Sequence, residues 1–286
     1  MPDLRMKPGG QTKLAGWAWL APAVVVLLAV TAWPIGRAVW LSLSSYSLTS
    51  PGDRDFIGFG NYSEILTNRT WWLAVATSLV IVLVVVALQL ALGFVFALAL
   101  RQMTVLWPIT RVIVLLPFAL MAVVSAVMWR DAATTGFLAD WFRLDDVGQL
   151  DSLAAVSLGE VWRGTGIVTV ILLAGLTQVS RRLYAAAVAD GATGWQRLRR
   201  VTLPVMGPAF AVAVAYRSLD AFRAIEGPLL VGDADADVRT APLLVWDTTF
   251  SSFELGLGAA MSIVLLVLTG LIGLLLVQLF RVRRVV

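Results

Sequence analysis

The sequence contains neither cysteine nor histidine. Disulfides, Cys/His zinc sites, cysteine nucleophiles, Ser-His-Asp triads and a histidine proton switch are therefore excluded. Charge is scarce as well. Only 14% of the 286 residues are Asp, Glu, Lys or Arg, where a soluble domain would approach a quarter. No G-x-x-x-x-G-K-[ST] segment occurs, so the chain lacks a phosphate-cradling P-loop and no ATPase site of its own is expected. No nucleophile–base pair or metal-ligand set supports a membrane enzyme, and no bound metal or cofactor is expected. Nucleic acid is not an expected partner either. The net charge is only +4, and the basic residues are scattered over short loops rather than gathered in one patch.

What the chain has is apolar length. Hydrophobic residues make up 59% and the mean hydropathy is +0.85. Six runs are long enough to cross a bilayer. They extend from Trp17 to about Leu43 (with Pro22 and Pro34 inside), Trp71 to Leu100, about Trp107 to Trp129, Ala154 to about Val179, Val205 to about Glu226, and Leu257 to Phe280. The first run is longer than a signal-peptide core and lacks a clear cleavage site, so it reads as a retained span. The fold class is an all-α membrane protein. Residues 1–15 form an N-terminal segment, 16–280 a six-span transmembrane domain, and 281–286 a tail.

Six spans put both termini on one side. The segments on that side hold Arg5, Lys7, Lys13, Arg101, Arg111, Arg181, Arg182, Arg197, Arg199, Arg200, Arg281, Arg283 and Arg284, thirteen of the 22 basic residues, against Asp3 and Asp190. Positive residues stay inside, so both termini are expected on the cytoplasmic side. Many of the 12 tryptophans fall near span ends, as interfacial anchors do.

Three stretches invite a functional reading. The first runs from Arg181 to Pro208. A mere turn would need only a few residues, yet this one contains a helix-forming segment (Tyr184–Ala189), a breaker at Asp190-Gly191, and a second helical segment from Trp195 to Val201 that Leu203-Pro204 should stop. Read from charge alone, it is either a positive-inside loop or a docking surface for a cytoplasmic partner. The second stretch is Arg217, Asp220, Arg223 and Glu226, charges of alternating sign at every third position of the fifth run. Glu160 and Arg163 repeat the spacing in the fourth, and Arg37 adds a charge to the first. Neighbours three apart can pair, but the row turns by about 60° per step and cannot face one direction. Charge at membrane depth marks either helix-to-helix pairing or a polar pathway, and the sequence leaves both open. Trp162 beside them is either an interfacial anchor or a flat apolar platform on that pathway.

The third stretch, Asp233-x-Asp235-x-Asp237, starts like a calcium loop but has Val238 and Leu244 where that loop needs Gly and Glu, so it reads as a solvated outer loop. The sequons at Asn61 and Asn68 are coincidental in a bacterial chain.

Leu183-Tyr184-Ala185-Ala186-Ala187-Val188-Ala189-Asp190-Gly191-Ala192, followed by Val201-Thr-Leu203-Pro204, resembles the EAA loop of ABC-importer permeases, whose pattern is E-A-A-x-x-x-G and then I-x-L-P. Leu20-Ala21-Pro22, Phe59-Gly60-Asn61-Tyr62, Glu160-Val161-Trp162, Leu173-Ala174-Gly175-Leu176 and the run FELGLGAAMS from Phe253 to Ser262 extend the resemblance to the carbohydrate, binding-protein-dependent branch over nearly the whole chain. Arg217-Ser-Leu-Asp220-Ala-Phe-Arg223 is similar to the actinobacterial trehalose importers within it. Two departures stand out: Ala185 replaces the leading Glu, and an Asp-rich stretch replaces the usual glycine-rich one after the fifth span.

The resemblance implies the permease fold of type I ABC importers and a role in ATP-driven sugar import, of a disaccharide such as trehalose. It implies a second permease subunit as heterodimer partner, a cytoplasmic ATP-binding subunit dimer holding ATP and magnesium, an extracytoplasmic sugar-binding lipoprotein, and membrane lipid around the spans. Tyr184, Ala185, Ala186, Asp190, Gly191, Ala192, Trp195, Arg199, Arg200, Leu203 and Pro204 are then the expected coupling residues toward the ATPase subunit. Trp162, Arg163, Arg217, Asp220, Arg223 and Glu226 are the candidate substrate pathway. The alternative from residues alone is an ion- or proton-coupled secondary transporter, with Asp220 or Glu226 as carrier.

Overall fold

The computed structural model describes residues 11–50, 52, 54–102, 107–134, 149–231 and 239–282. The basic N-terminal end, most of the acidic loop after the third run, the Asp233–Asp237 stretch and the last four residues lie outside the described residues. The chain divides into two compact units, residues 1–64 with 248–263 and residues 65–247 with 264–286.

In the first unit, helix α1 (Gln11–Ser42) carries Pro22 and Pro34 internally. Its span from Ala21 to Ser42 has none of its most apolar window buried within the chain, which leaves it for lipid or a partner. Strands β1 (Ser44–Ser45) and β2 (Asp55–Phe56) pair antiparallel behind it. Asn61 explains the Phe-Gly-Asn-Tyr motif: its Nδ2 donates to the backbone oxygens of Ser42 (2.8 Å) and Ser44 (3.1 Å), which satisfies carbonyls left open where α1 ends. This asparagine is buried, which agrees with its sequon being coincidental.

Helix α2 (Gly60–Thr67) leads into the second unit. There, α3 (Arg69–Gln102) is capped by Asn68, whose side chain accepts from the Thr70 N–H. Next come α4 (Trp107–Ala119), α5 (Ala122–Thr134) and α6 (Gln149–Thr177). The loop that follows contains α7 (Arg181–Ala189), α8 (Gly194–Arg197), a π-helical turn over Leu198–Thr202, and α9 (Leu203–Val205). Beyond it lie α10 (Gly207–Phe222), α11 (Glu226–Val231) and α12 (Ala241–Trp246). The last helix, α13 (Leu255–Val282), has none of its most apolar window buried. Helix α6 is the centre of the second unit, with 61% of its most apolar window buried against 28% for α3. Val168, Leu172 and Leu176 of α6 pack with Ala97 and Leu100 of α3 and with Met206 and Ala213 in one core cluster.

Among the described residues, four helices are long and apolar enough to cross a membrane, and six if two bent pairs each count as one span. Each of these two pairs is bent. The third apolar run breaks by 93° between Ala119 and Ala122, just after Pro117. The fifth breaks by 64° at Met206. Pro204 fails to stop the helix before it. The π-turn moves the bonding to Leu203 N–H to Leu198 O, so the carbonyl that a proline ring would strike in a regular helix is displaced. Among its described residues, the polar loop expected over 227–256 contains α11, α12 and a π-helical turn over Asp247–Ser251. Thr240 caps α12, and the Ala241 N–H donates to Ser78 Oγ at 2.9 Å.

Candidate functional site

A closed polar cluster joins three helices inside the second unit. Arg217 of α10 has no exposed surface. Its Nε donates to Gln89 Oε1 of α3 at 2.8 Å and its Nη2 to Glu160 Oε2 of α6 at 3.1 Å; Nη1 pairs with Asp220, one turn along its own helix. Arg163 takes the other side of Glu160, its Nη2 lying 3.2 Å from both carboxylate oxygens and 3.8 Å from Asp220 Oδ2. Gln89 closes the ring by donating to the Glu160 backbone oxygen at 2.6 Å. Two guanidiniums face two carboxylates, so the cluster is formally neutral, and each Arg217 nitrogen has a partner. This satisfies the condition under which buried charge is tolerated.

Gly164 makes the cluster possible. A Cβ there would sit 2.2 Å from Gln89 Nε2 and 2.5 Å from Arg217 Nη2. Both side chains lie across the face of α6 where any other residue would project.

Of the expected row, only Arg217 and Asp220 pair with each other. α10 ends at Phe222, closed by Arg223 N–H to Asp220 O and Ala224 N–H to Ala221 O, the tighter bonding of a last turn. Arg223 is exposed and its Nε donates back to Leu219 O, while the Glu226 carboxylate accepts from the Ile225 N–H at the start of α11. The helical continuity assumed from 217 to 226 is therefore absent, and the row separates into an ion pair of buried Arg217 with half-buried Asp220 and two residues beyond the helix. Trp162 is half-buried, edge-on to Trp129 with ring centroids 6.2 Å apart. Asp220 keeps 28% of its side chain exposed and is the cluster member nearest to surface. Gln89 and Gly164 escaped the sequence reading, although Gln89 is the one amide in the long apolar run from 71 to 100.

The second feature is the loop from Ser180 to Val205. Ser180 caps α7 through Leu183 N–H. Its end is a Schellman closure: Ala192 N–H donates to Ala187 O (2.9 Å) and Gly191 N–H to Val188 O (3.0 Å), with Gly191 at φ 74°. Thr193 and Gln196 then form a capping box that starts α8. Every turn of the loop is thus hydrogen-bonded, which makes it a shaped element rather than a slack connection.

The loop has two faces. Tyr184, Val201 and Val205 pack inward against the α3–α6 core cluster, and Thr202 is fully buried. Outward, Leu183, Ala185, Ala186, Val188, Asp190, Trp195, Arg199, Arg200 and Pro204 are exposed, with Ala192 and Leu203 half-buried. Trp195 shows 66% of its surface. An apolar rim edged by arginines and left bare fits a partner surface rather than water.

Among the described residues no group of acidic side chains could hold a metal ion.

The family described as binding-protein-dependent transport system inner membrane component matches residues 89–285. The trehalose transport system permease protein SugA of Mycobacterium tuberculosis is 38% identical over 266 residues, covering 91% of this chain and 87% of that protein. The trehalose/maltose transport system permease protein MalF of Thermococcus litoralis is 29% identical, covering 94% of each. Among solved structures, a bacterial ABC transporter involved in import of the acidic polysaccharide alginate superposes with a TM-score of 0.76, covering 95% of this chain and 96% of its own at 18% identity.

Proposed function

This chain belongs to the binding-protein-dependent transport system inner membrane components, and we propose that within that family it is the transmembrane subunit of an ATP-driven carbohydrate importer that moves a disaccharide such as trehalose into the cytoplasm by alternating access. The observation that supports the substrate is the 38% identity to a trehalose permease over nine-tenths of the chain.

On this reading both termini and the 181–204 loop face the cytoplasm, where the basic excess of those segments favours them. The partners are a second permease subunit, an ATP-binding subunit dimer that supplies ATP and magnesium, and an extracytoplasmic sugar-binding lipoprotein. The bare apolar lengths of α1 and α13 are left for lipid and the second permease. The outward face of the loop (Ala185, Ala186, Asp190, Trp195, Arg199, Arg200 and Pro204) meets the ATPase. Ala185 makes an apolar contact where the family pattern has Glu. Closure of the ATPase dimer moves the loop as one piece, because its turns are internally bonded and its inner face is packed.

The charged residues divide by exposure. Arg217 stands behind the pathway and holds α3, α6 and α10 together. Asp220, Arg223, Glu226, Arg163 and Trp162 border it, offering carboxylates, guanidiniums and an indole face to sugar hydroxyls and ring carbons.

Vesicles containing the complete assembly test the reading. Trehalose uptake should require ATP and survive an uncoupler. Uptake that proceeds without ATP and collapses with an uncoupler would instead identify a proton-coupled transporter.

A further inference from the structure

The helix α3 touches both features described above. Near its middle, Gln89 is locked into the charged cluster. At its end, Arg101 reaches the loop. Arg101 Nη1 donates to the Tyr184 hydroxyl at 3.2 Å, and its guanidinium lies over the Tyr184 ring, 5.0 Å from the centroid. Tyr184 is in turn bonded to Thr202 Oγ1, and the Thr202 hydroxyl donates to Arg197 O at 3.4 Å. The Arg197 carbonyl can only accept, so the Thr202 hydroxyl donates to it and the Tyr184 hydroxyl is left to donate to Thr202, which sets the direction of the chain. The Arg101 N–H donates to Tyr184 in the same sense. Bonds aligned in one direction polarise one another, and the guanidinium adds a cation–π contact.

This relay binds three separate pieces of backbone: the end of α3, helix α7, and the π-helical turn. Tyr184 of α7 and Val201 of the turn also pack against the core cluster to which Ala97 and Leu100 of α3 belong. Thr202 is fully buried and Tyr184 half-buried, while Arg101 is exposed. An exposed arginine in the last turn of a span has topology as its ordinary role, but topology requires no particular partner. Here the side chain is stacked on one ring and bonded to one hydroxyl.

We propose that Arg101, acting through Tyr184 and Thr202, is a positioning residue that transmits movement of the 181–205 loop to α3. From Arg101 the helix runs 12 residues back to Gln89, a distance of about 18 Å, so displacement of the loop reaches the charged cluster along one rigid element. Arg101 touches neither nucleotide nor sugar. It sets how much of the work done on the loop appears as movement of the spans. The proposal rests on the importer reading above.

The test uses the complete importer in proteoliposomes, with trehalose uptake and ATP hydrolysis measured on the same sample. Arg101→Ala and Tyr184→Phe should each lower the trehalose moved per ATP hydrolysed by about tenfold, a coupling change in the usual range for linked sites. The double variant should fall by less than the product of the two single losses, because both remove the Arg101–Tyr184 hydrogen bond. Arg101→Lys keeps a donor and a cation, and should recover at least half of the ratio. Tyr184→Phe removes only one oxygen and stays informative if Arg101→Ala fails to reach the membrane. A wild-type assembly with ATP-driven uptake and single variants of unchanged ratio would overturn the relay alone, as would strictly additive losses. A wild-type assembly without ATP-driven uptake would overturn the importer reading and the relay with it.

Discussion

Gly191→Val should reduce ATP-driven uptake at least tenfold and leave the amount of protein in the membrane unchanged. Gly191 sits at φ 74°, in the left-handed region that a β-branched residue avoids. Nothing lies within 4 Å of where its Cβ would project, so the substitution creates no clash and empties no core. Its whole effect is backbone strain, on the order of 1–3 kcal/mol, at the joint between α7 and α8. The chain relieves that strain by opening the Schellman turn, because the Ala192-to-Ala187 and Gly191-to-Val188 bonds depend on the left-handed residue. The exposed faces of α7 and α8 then no longer meet a partner at their set angle. Gly191→Asn is the control, since asparagine tolerates the left-handed region, and it should retain most uptake. Equal loss in both variants would mean that the side-chain space at the joint matters, and not its backbone.

Arg217→Met should lower the stability of the folded protein by about 3–5 kcal/mol, the cost of breaking a buried pair by removing one partner. Methionine roughly preserves the length of the side chain. What changes is the balance: Glu160 and Asp220 are left facing Arg163 alone, and Gln89 Oε1 loses the Nε donor at 2.8 Å. Heating the detergent-solubilised protein and measuring the fraction that stays monodisperse would show the loss. Adding Asp220→Leu to Arg217→Met restores neutrality, with Glu160 and Arg163 still paired at 3.2 Å. Most of the stability should then return. If the double variant is no more stable than the single one, charge balance is not what holds the cluster.

Much of the fold and the loop could be read from the sequence because the physics there is local. The six apolar runs reflect a bilayer's demand for length and hydrophobicity, and all of them are helical at least in part. Asp190-Gly191 ends α7 because a glycine closes a helix in a way that few other residues can. The i,i+3 pairing of Glu160 with Arg163 and of Arg217 with Asp220 follows from helix geometry.

What could not be read depends on contacts distant in sequence. Gln89 is 128 positions from Arg217, and one amide in an apolar run does not announce its partner. Gly164 resembled an ordinary small residue until two side chains were seen to lie across it. The bends at 120–121 and at Met206 occur in runs whose composition suits a straight span. Pro204 was expected to end a helix, and the π-turn before it shows how the chain accommodates the ring. The row from 217 to 226 assumed a helix that ends at Phe222, and so predicted pairing for Arg223 and Glu226 on spacing alone.

The absence of cysteine permits a direct test of the central claim, that the 181–205 loop is the surface through which an ATPase subunit drives this chain. Trp195→Cys places the chain's only thiol on the most exposed aromatic of the loop. In membranes carrying the whole assembly, a maleimide–benzophenone reagent, attached to the thiol and then photoinserted into neighbouring C–H bonds, should cross-link position 195 to the ATP-binding subunit, with a yield that changes when ATP is added. A thiol at 195 that reacts with an impermeant maleimide applied outside intact cells, and forms no cross-link to that subunit, would contradict the account.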